Sequence, residues 1–94
     1  MITEEGLEKA GYERDISFDP PRWMKSINPQ LVATVQPFED SEGGGWEVIG
    51  RVRNRMYFLM VPNDPSRPMT PEVVSIQTPD DIDKFLENWF LSNR

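Results

Sequence analysis

The feature that most constrains this chain lies at its C-terminal end. Thr78 precedes Pro79, Asp80 and Asp81, and apolar side chains then recur at Ile82, Phe85, Leu86, Trp89 and Phe90. Threonine is a favoured N-cap, proline suits the first helical position, and carboxylates in the first turn complement the positive end of the helix dipole. The apolar positions fall at i, i+3, i+4, i+7 and i+8, a single stripe of the helical period. Such a helix has one apolar side and must lay it on something flat. Burying these five side chains contributes on the order of 8–15 kcal/mol before the entropy cost of ordering them.

The flat partner is legible upstream. Residues 31–38 are rich in β-branched side chains, with Leu31, Ala33 and Val35 on one face of an extended chain. Residues 39–45, Glu-Asp-Ser-Glu-Gly-Gly-Gly, form a polar, flexible connector. Residues 46–52 alternate, with Trp46, Val48 and Val52 inward and Glu47, Ile49 and Arg51 outward. Arg53-Asn54 suits a tight hairpin, because asparagine tolerates positive φ at low cost. Residues 56–61 are apolar on both faces, which predicts a central strand covered on both sides. Prolines 62, 65, 68 and 71 then favour a stiff, extended path, and residues 72–77 read as the last strand.

The N-terminal end carries a short helix over residues 4–10. Thr3 is its N-cap, Ile2 and Leu7 form a hydrophobic staple, and Gly11 ends it in a left-handed conformation so that Tyr12 folds back onto Leu7. Gly6 inside it lowers helix propensity by about 1 kcal/mol relative to alanine, so the helix needs tertiary support. Residues 12–18 are open to a first strand. Residues 19–29 are left irregular: Pro20-Pro21 stops a central strand, and Asp19 followed by the two prolines could instead cap a short turn of helix through Trp23 and Met24. These elements predict one α+β domain over residues 1–94: an antiparallel β-meander of about four strands, with a short N-terminal helix and an amphipathic C-terminal helix packed on the sheet.

Composition narrows the chemistry. The chain has neither cysteine nor histidine, which removes disulfides, thiolate metal sites and the commonest general base and zinc ligand. Nucleophilic catalysis would need a lysine beside a hydroxyl, and only Lys25-Ser26 offers that pairing. Neighbours in an extended chain point to opposite faces, so they are not a dyad. Asp80, Asp81 and Asp83 resemble a cation site, but first-turn carboxylates are explained by the helix dipole. Glu39, Asp40 and Glu42 lack the spacing of a calcium loop. Gly43-Gly44-Gly45 lacks the Lys-Ser/Thr of a phosphate loop and precedes a strand. The expectation is no catalytic residue, no metal and no cofactor. The N-terminus lacks the pattern of a signal peptide, and the longest apolar run, residues 56–62, is too short to span a bilayer. A soluble cytoplasmic protein without membrane contact is expected.

Charge supplies the candidate surface. Sixteen acids against ten bases give a net charge of −6, which makes nucleic acid an unlikely partner. Residues 38–47 hold four acids and no base, whereas residues 48–71 hold four arginines against Asp64 alone. Arg51, Arg53 and Arg55 gather near a hairpin tip. Either they pair with acids such as Glu47, or they form a contact patch, since arginine is enriched at binding hot spots. Glu39, Asp40 and Glu42 are the matching acidic candidates, at what the sequence order suggests is an adjacent hairpin end. Trp23 is either a lid on the core or an exposed anchor.

The opening Thr3-Glu4-Glu5-Gly6-Leu7-Glu8-Lys9-Ala10-Gly11-Tyr12, the aromatic-rich meander and the closing Thr78-Pro79-Asp80-Asp81-Ile82-Asp83-Lys84-Phe85-Leu86 resemble small accessory proteins of bacteriophages and other mobile elements. Among these are inhibitors of host defence such as anti-CRISPRs. The resemblance implies a non-enzymatic protein that binds a host protein or protein complex in the host cytoplasm. The alternatives are a structural subunit, acting as a small homo-oligomer through an exposed strand edge, and a weak nucleic-acid contact through the arginine hairpin.

Overall fold

The computed structural model describes residues 1–93. Helix α1 spans Glu4–Lys9, and five strands follow: β1 Glu13–Asp15, β2 Arg22–Asn28, β3 Leu31–Phe38, β4 Gly45–Val52 and β5 Arg55–Pro62. Two helices close the chain, α2 over Pro71–Val74 and α3 over Pro79–Ser92. The strands form one antiparallel sheet in chain order, β1 to β5. The α+β meander is therefore present, with five strands where about four were expected.

Helices α1 and α3 form where their caps say they should. Thr3 accepts from the Gly6 amide at 3.0 Å, and Ile2 and Leu7 are both buried. Gly11 takes φ 95°, and the Tyr12 amide reaches back to the Leu7 carbonyl at 3.0 Å. At α3 the Thr78 hydroxyl accepts from the Asp81 amide, and the Asp81 carboxylate accepts from the amides of Thr78 and Gln77 at 3.0 Å each. This reciprocal capping box satisfies donors that a helix start otherwise leaves unpaired.

The core lies between one face of the sheet and the helices. Leu31, Ala33 and Val35 from β3, Val48 from β4, and Ile82 and Leu86 from α3 are all inaccessible to solvent. Helix α3 sits very close to β4, because a Cβ at Gly50 would stand 2.7 Å from Leu86 Cδ2. Phe85, Trp89 and Phe90 are only partly buried. Phe85 and Trp89 flank the core, stacking at a tilt on Tyr57 with ring centroids 5.4 and 5.6 Å away.

The structure departs from the expectations above at five places. Residues 22–28 are a strand: the two prolines lie just before it, and Trp23, Met24, Lys25 and Ser26 pair with Val35, Thr34, Ala33 and Val32. Strand β1 is limited to three residues, because the Asp15 carboxylate accepts from the Ser17 amide at 3.0 Å and hydroxyl at 2.6 Å and turns the chain. Residues 71–74 are helical where a strand was expected; Val73 and Ile76 are buried three positions apart, a helical spacing, with Val74 and Ser75 exposed. Strand β5 is an edge strand covered on one side only. At its hairpin with β4, the residue with positive φ (53°) is Arg53.

Candidate functional site: the uncovered face of the sheet

Antiparallel pairing sets which side chains share a face. The rows Met24–Thr34–Ile49–Phe58 and Val32–Arg51–Met56 lie opposite the core, as does the row Gln36–Glu47–Met60. None of these side chains is buried. Met56 is 57% exposed, Phe58 51% and Met60 44%, whereas Leu59 and Val61 between and beyond them are buried. The apolar outer side of residues 56–61, read from sequence as the second face of a central strand, is thus open surface. The Phe38 ring extends it by lying across Gly45, where a Cβ would meet Phe38 Cε1 at 3.0 Å.

The charged candidates separate onto this frame. Arg51 is on the open face, with a guanidinium nitrogen 3.4 Å from the Met56 sulfur. Arg53 is exposed in the turn. Arg55 lies on the helix side and donates to the Asn93 carbonyl at the C-terminal end of α3, where a cation complements the helix dipole. Among the described residues none of these three arginines is in an ion pair, and Glu47 instead accepts from Gln36 at 2.6 Å.

The acids sit at the other end of β4. The Asp40 carboxylate accepts from the amides of Gly44 and Glu42 and pairs with Arg67 at 3.1 Å; Glu42 pairs with the same guanidinium at 3.2 Å. The Gly44 amide, together with the Glu42 amide and the charge of Arg67, holds the Asp40 carboxyl below the usual carboxylate range. Glu39 is exposed. Eight residues of β4 separate the clusters by about 25 Å, some three times the Debye length of about 8 Å in physiological salt. They are two poles, and they neither neutralise each other nor form one patch. Trp23 is 5% exposed, so it belongs to the core and leaves the candidate surface.

Two further features were not legible in the sequence. The Lys25 ammonium meets the Asp83 carboxylate at 2.5 Å and the Ala10 carbonyl at 2.7 Å, while the Tyr12 hydroxyl donates to the other Asp83 oxygen at 2.7 Å. Burial, with Asp83 next, pushes the Tyr12 hydroxyl well above its ordinary pKa. The phenol stays a hydrogen-bond donor, and the trio ties α1, β2 and α3 together. Lys25 therefore turns to the helices while Ser26 turns to the open face. An apolar pocket of about 320 Å³ lies between the N-terminus and the segment around α2, lined by Ile2, Trp46, Val61, Met69, Val73 and Ile76, among others. Its lining side chains include no titratable group.

No described helix is long and apolar enough to cross a membrane. Among the described residues no three of His, Cys, Asp or Glu converge as a metal-binding group. Comparison of the chain with protein-family models, with curated proteins and with solved structures finds no match.

Proposed function

We propose that this chain is a non-enzymatic protein-binding module and that the uncovered sheet face is its contact surface. The observation that carries this reading is the exposure of Met56, Phe58 and Met60 on one face of one strand. Contiguous apolar surface of this kind marks association sites, and methionine is favoured there because its flexible thioether adapts to a partner's shape. Arg51, Glu47 and Gln36 set polar groups among the apolar ones, as at a protein interface. The resemblance to phage accessory proteins supports a place of action in the host cytoplasm and an inhibitory role against a host complex.

The test is association of the folded protein with and without the face. Phe58→Asp should retain the native circular dichroism spectrum and lose at least about tenfold in affinity for any protein that the parent binds, since a buried unpaired charge at an interface is heavily penalised. A folded Phe58→Asp protein that binds as well as its parent would remove this face as the contact surface.

A further inference from the structure

We propose that the occupant of the uncovered face is a second copy of this chain, stacked sheet on sheet about a twofold axis that crosses the strands at Ile49. The proposal rests on the reading of that face as a protein-binding surface and names its partner.

Charge placement selects this arrangement. Glu47 and Arg51 are on the open face of β4, each two positions from Ile49, in rows that end at Met60 and Met56 on either side of Phe58. A twofold axis in the interface, perpendicular to β4, brings positions after Ile49 opposite positions before it. Arg51 of each copy then meets Glu47 of the other, Met56 meets Met60, and Phe58 meets Phe58. The same rotation carries Arg53, in the turn after β4, toward the acidic end of the second copy, where Glu39, Asp40 and Glu42 outnumber Arg67. Poles that are too far apart to interact within one copy thus pair twice in the dimer. An axis along the strands would instead set Arg51 against Arg51 and Glu47 against Glu47. Pairing through the β5 edge would leave Phe58 and Met60 uncovered.

The geometry accommodates this packing. Stacked sheets lie about 10 Å apart with strands about 30° from parallel. At about 6.6 Å from the axis, two residues along a strand, that angle displaces a charge by about 3.4 Å. Arginine and glutamate side chains bridge both distances. The four longer strands, about 4.8 Å apart and about 25 Å long, present about 500 Å² of face per copy. Two such faces together bury about 1,000 Å², just under the lower bound of about 1,200 Å² for a stable specific interface and in the range of weak, transient ones. The dimer is therefore expected to dissociate in the micromolar range.

Sedimentation equilibrium of the full chain from 1 to 200 μM tests this. The parent should pass from monomer to dimer over that range, less completely at high salt. Arg51→Glu alone and Glu47→Arg alone should each weaken the dimer by about tenfold or more, because each substitution strikes two symmetric contacts. An equimolar mixture of the two variants should recover association, since one face is then acidic and the other basic. Phe58→Asp should remain monomeric with an unchanged circular dichroism spectrum. A parent that stays monomeric at 200 μM, or a mixture that associates no better than its components, overturns the proposal. If the monomeric parent still binds another protein and Phe58→Asp abolishes that binding, the face is a protein contact with a different occupant. If Phe58→Asp leaves all association intact, the broader reading falls as well.

Discussion

Lys25 and Asp83 show how much a single side-chain pair organises. Each side chain is mostly but not fully buried, at 26% and 18% exposure, and each has its partners. Asp83→Ala would leave the ammonium near the Ala10 carbonyl without a counter-charge and the Tyr12 hydroxyl without an acceptor. The expected cost is about 2 kcal/mol, read from urea denaturation; a cost below about 0.5 kcal/mol, that of an ordinary surface change, would mean that solvent already satisfies these groups. Asp81 has a different role at the start of α3. Amide donation, first from Gln77 and then from Thr78, holds its carboxyl below the ordinary carboxylate value. A lowered folded value means that the ionised carboxylate stabilises the fold above the unfolded pKa of about 3.9, and that this contribution disappears as pH falls through the lower folded value. Thermal melts of the parent and Asp81→Ala from pH 7 to pH 2 should therefore differ most near neutrality, by about 1 kcal/mol at a helix cap, and converge in acid. A gap that does not narrow as pH falls would assign the effect to something other than the ionised cap.

Among the elements, α3 is where sequence and structure agree best in outline and differ in emphasis. The stripe is present, yet the fully buried positions are Ile82 and Leu86, with Phe85 and Trp89 beside Tyr57. Leu86→Ala is expected to cost about 2–5 kcal/mol, more than Trp89→Ala, as measured by urea unfolding. The reverse order would place the helix axis nearer its aromatic edge. Capped helices and the alternation of β3 and β4 are legible because their signals are local: a threonine before a proline, or a side chain every second position. Strand β2 is not legible because Lys25 interrupts its apolar side, and the carboxylate that justifies a lysine there lies at Asp83, far along the chain. Strand β5 reads as central because sequence reports that both faces are apolar, not whether both are covered. Its edge position follows from the short α2 helix, which replaces a sixth strand. The candidate site was legible only in part: Arg51 is on it, whereas Trp23 and Arg55 are committed to the core side and the acidic cluster lies at the far end of β4. Neighbours on β5 therefore make a sharp contrast. Phe58→Asp should change stability by less than about 1 kcal/mol, whereas Leu59→Asp, which buries a charge without a partner, should unfold the domain. Equal effects at the two positions would mean that the outer face is covered.

At the scale of the whole molecule, the sheet has a packed side and a bare side, with basic and acidic ends about 25 Å apart. The buried residues of the three helices join one core cluster with Leu31, Ala33, Val35 and Val48, so the other side of the sheet is left bare. The chain carries its own reporters for this, because its five methionines are distributed over different surroundings. Met56, Met60 and the half-buried Met24 are on the bare face, Met1 is 80% exposed at the terminus, and Met69 lies partly buried beside the core. Oxidation to the sulfoxide follows accessibility, and each residue can be read separately by mass spectrometry. The most direct measurement is the peroxide oxidation rate of each methionine at 1 μM and at 200 μM protein, a range that spans micromolar self-association. Met56 and Met60 should react rapidly in the dilute protein and be protected several-fold in the concentrated one, with Met1 unchanged. Slow oxidation of Met56 and Met60 in the dilute folded protein would contradict the uncovered face, and equal rates at both concentrations would contradict its occupation by a second copy.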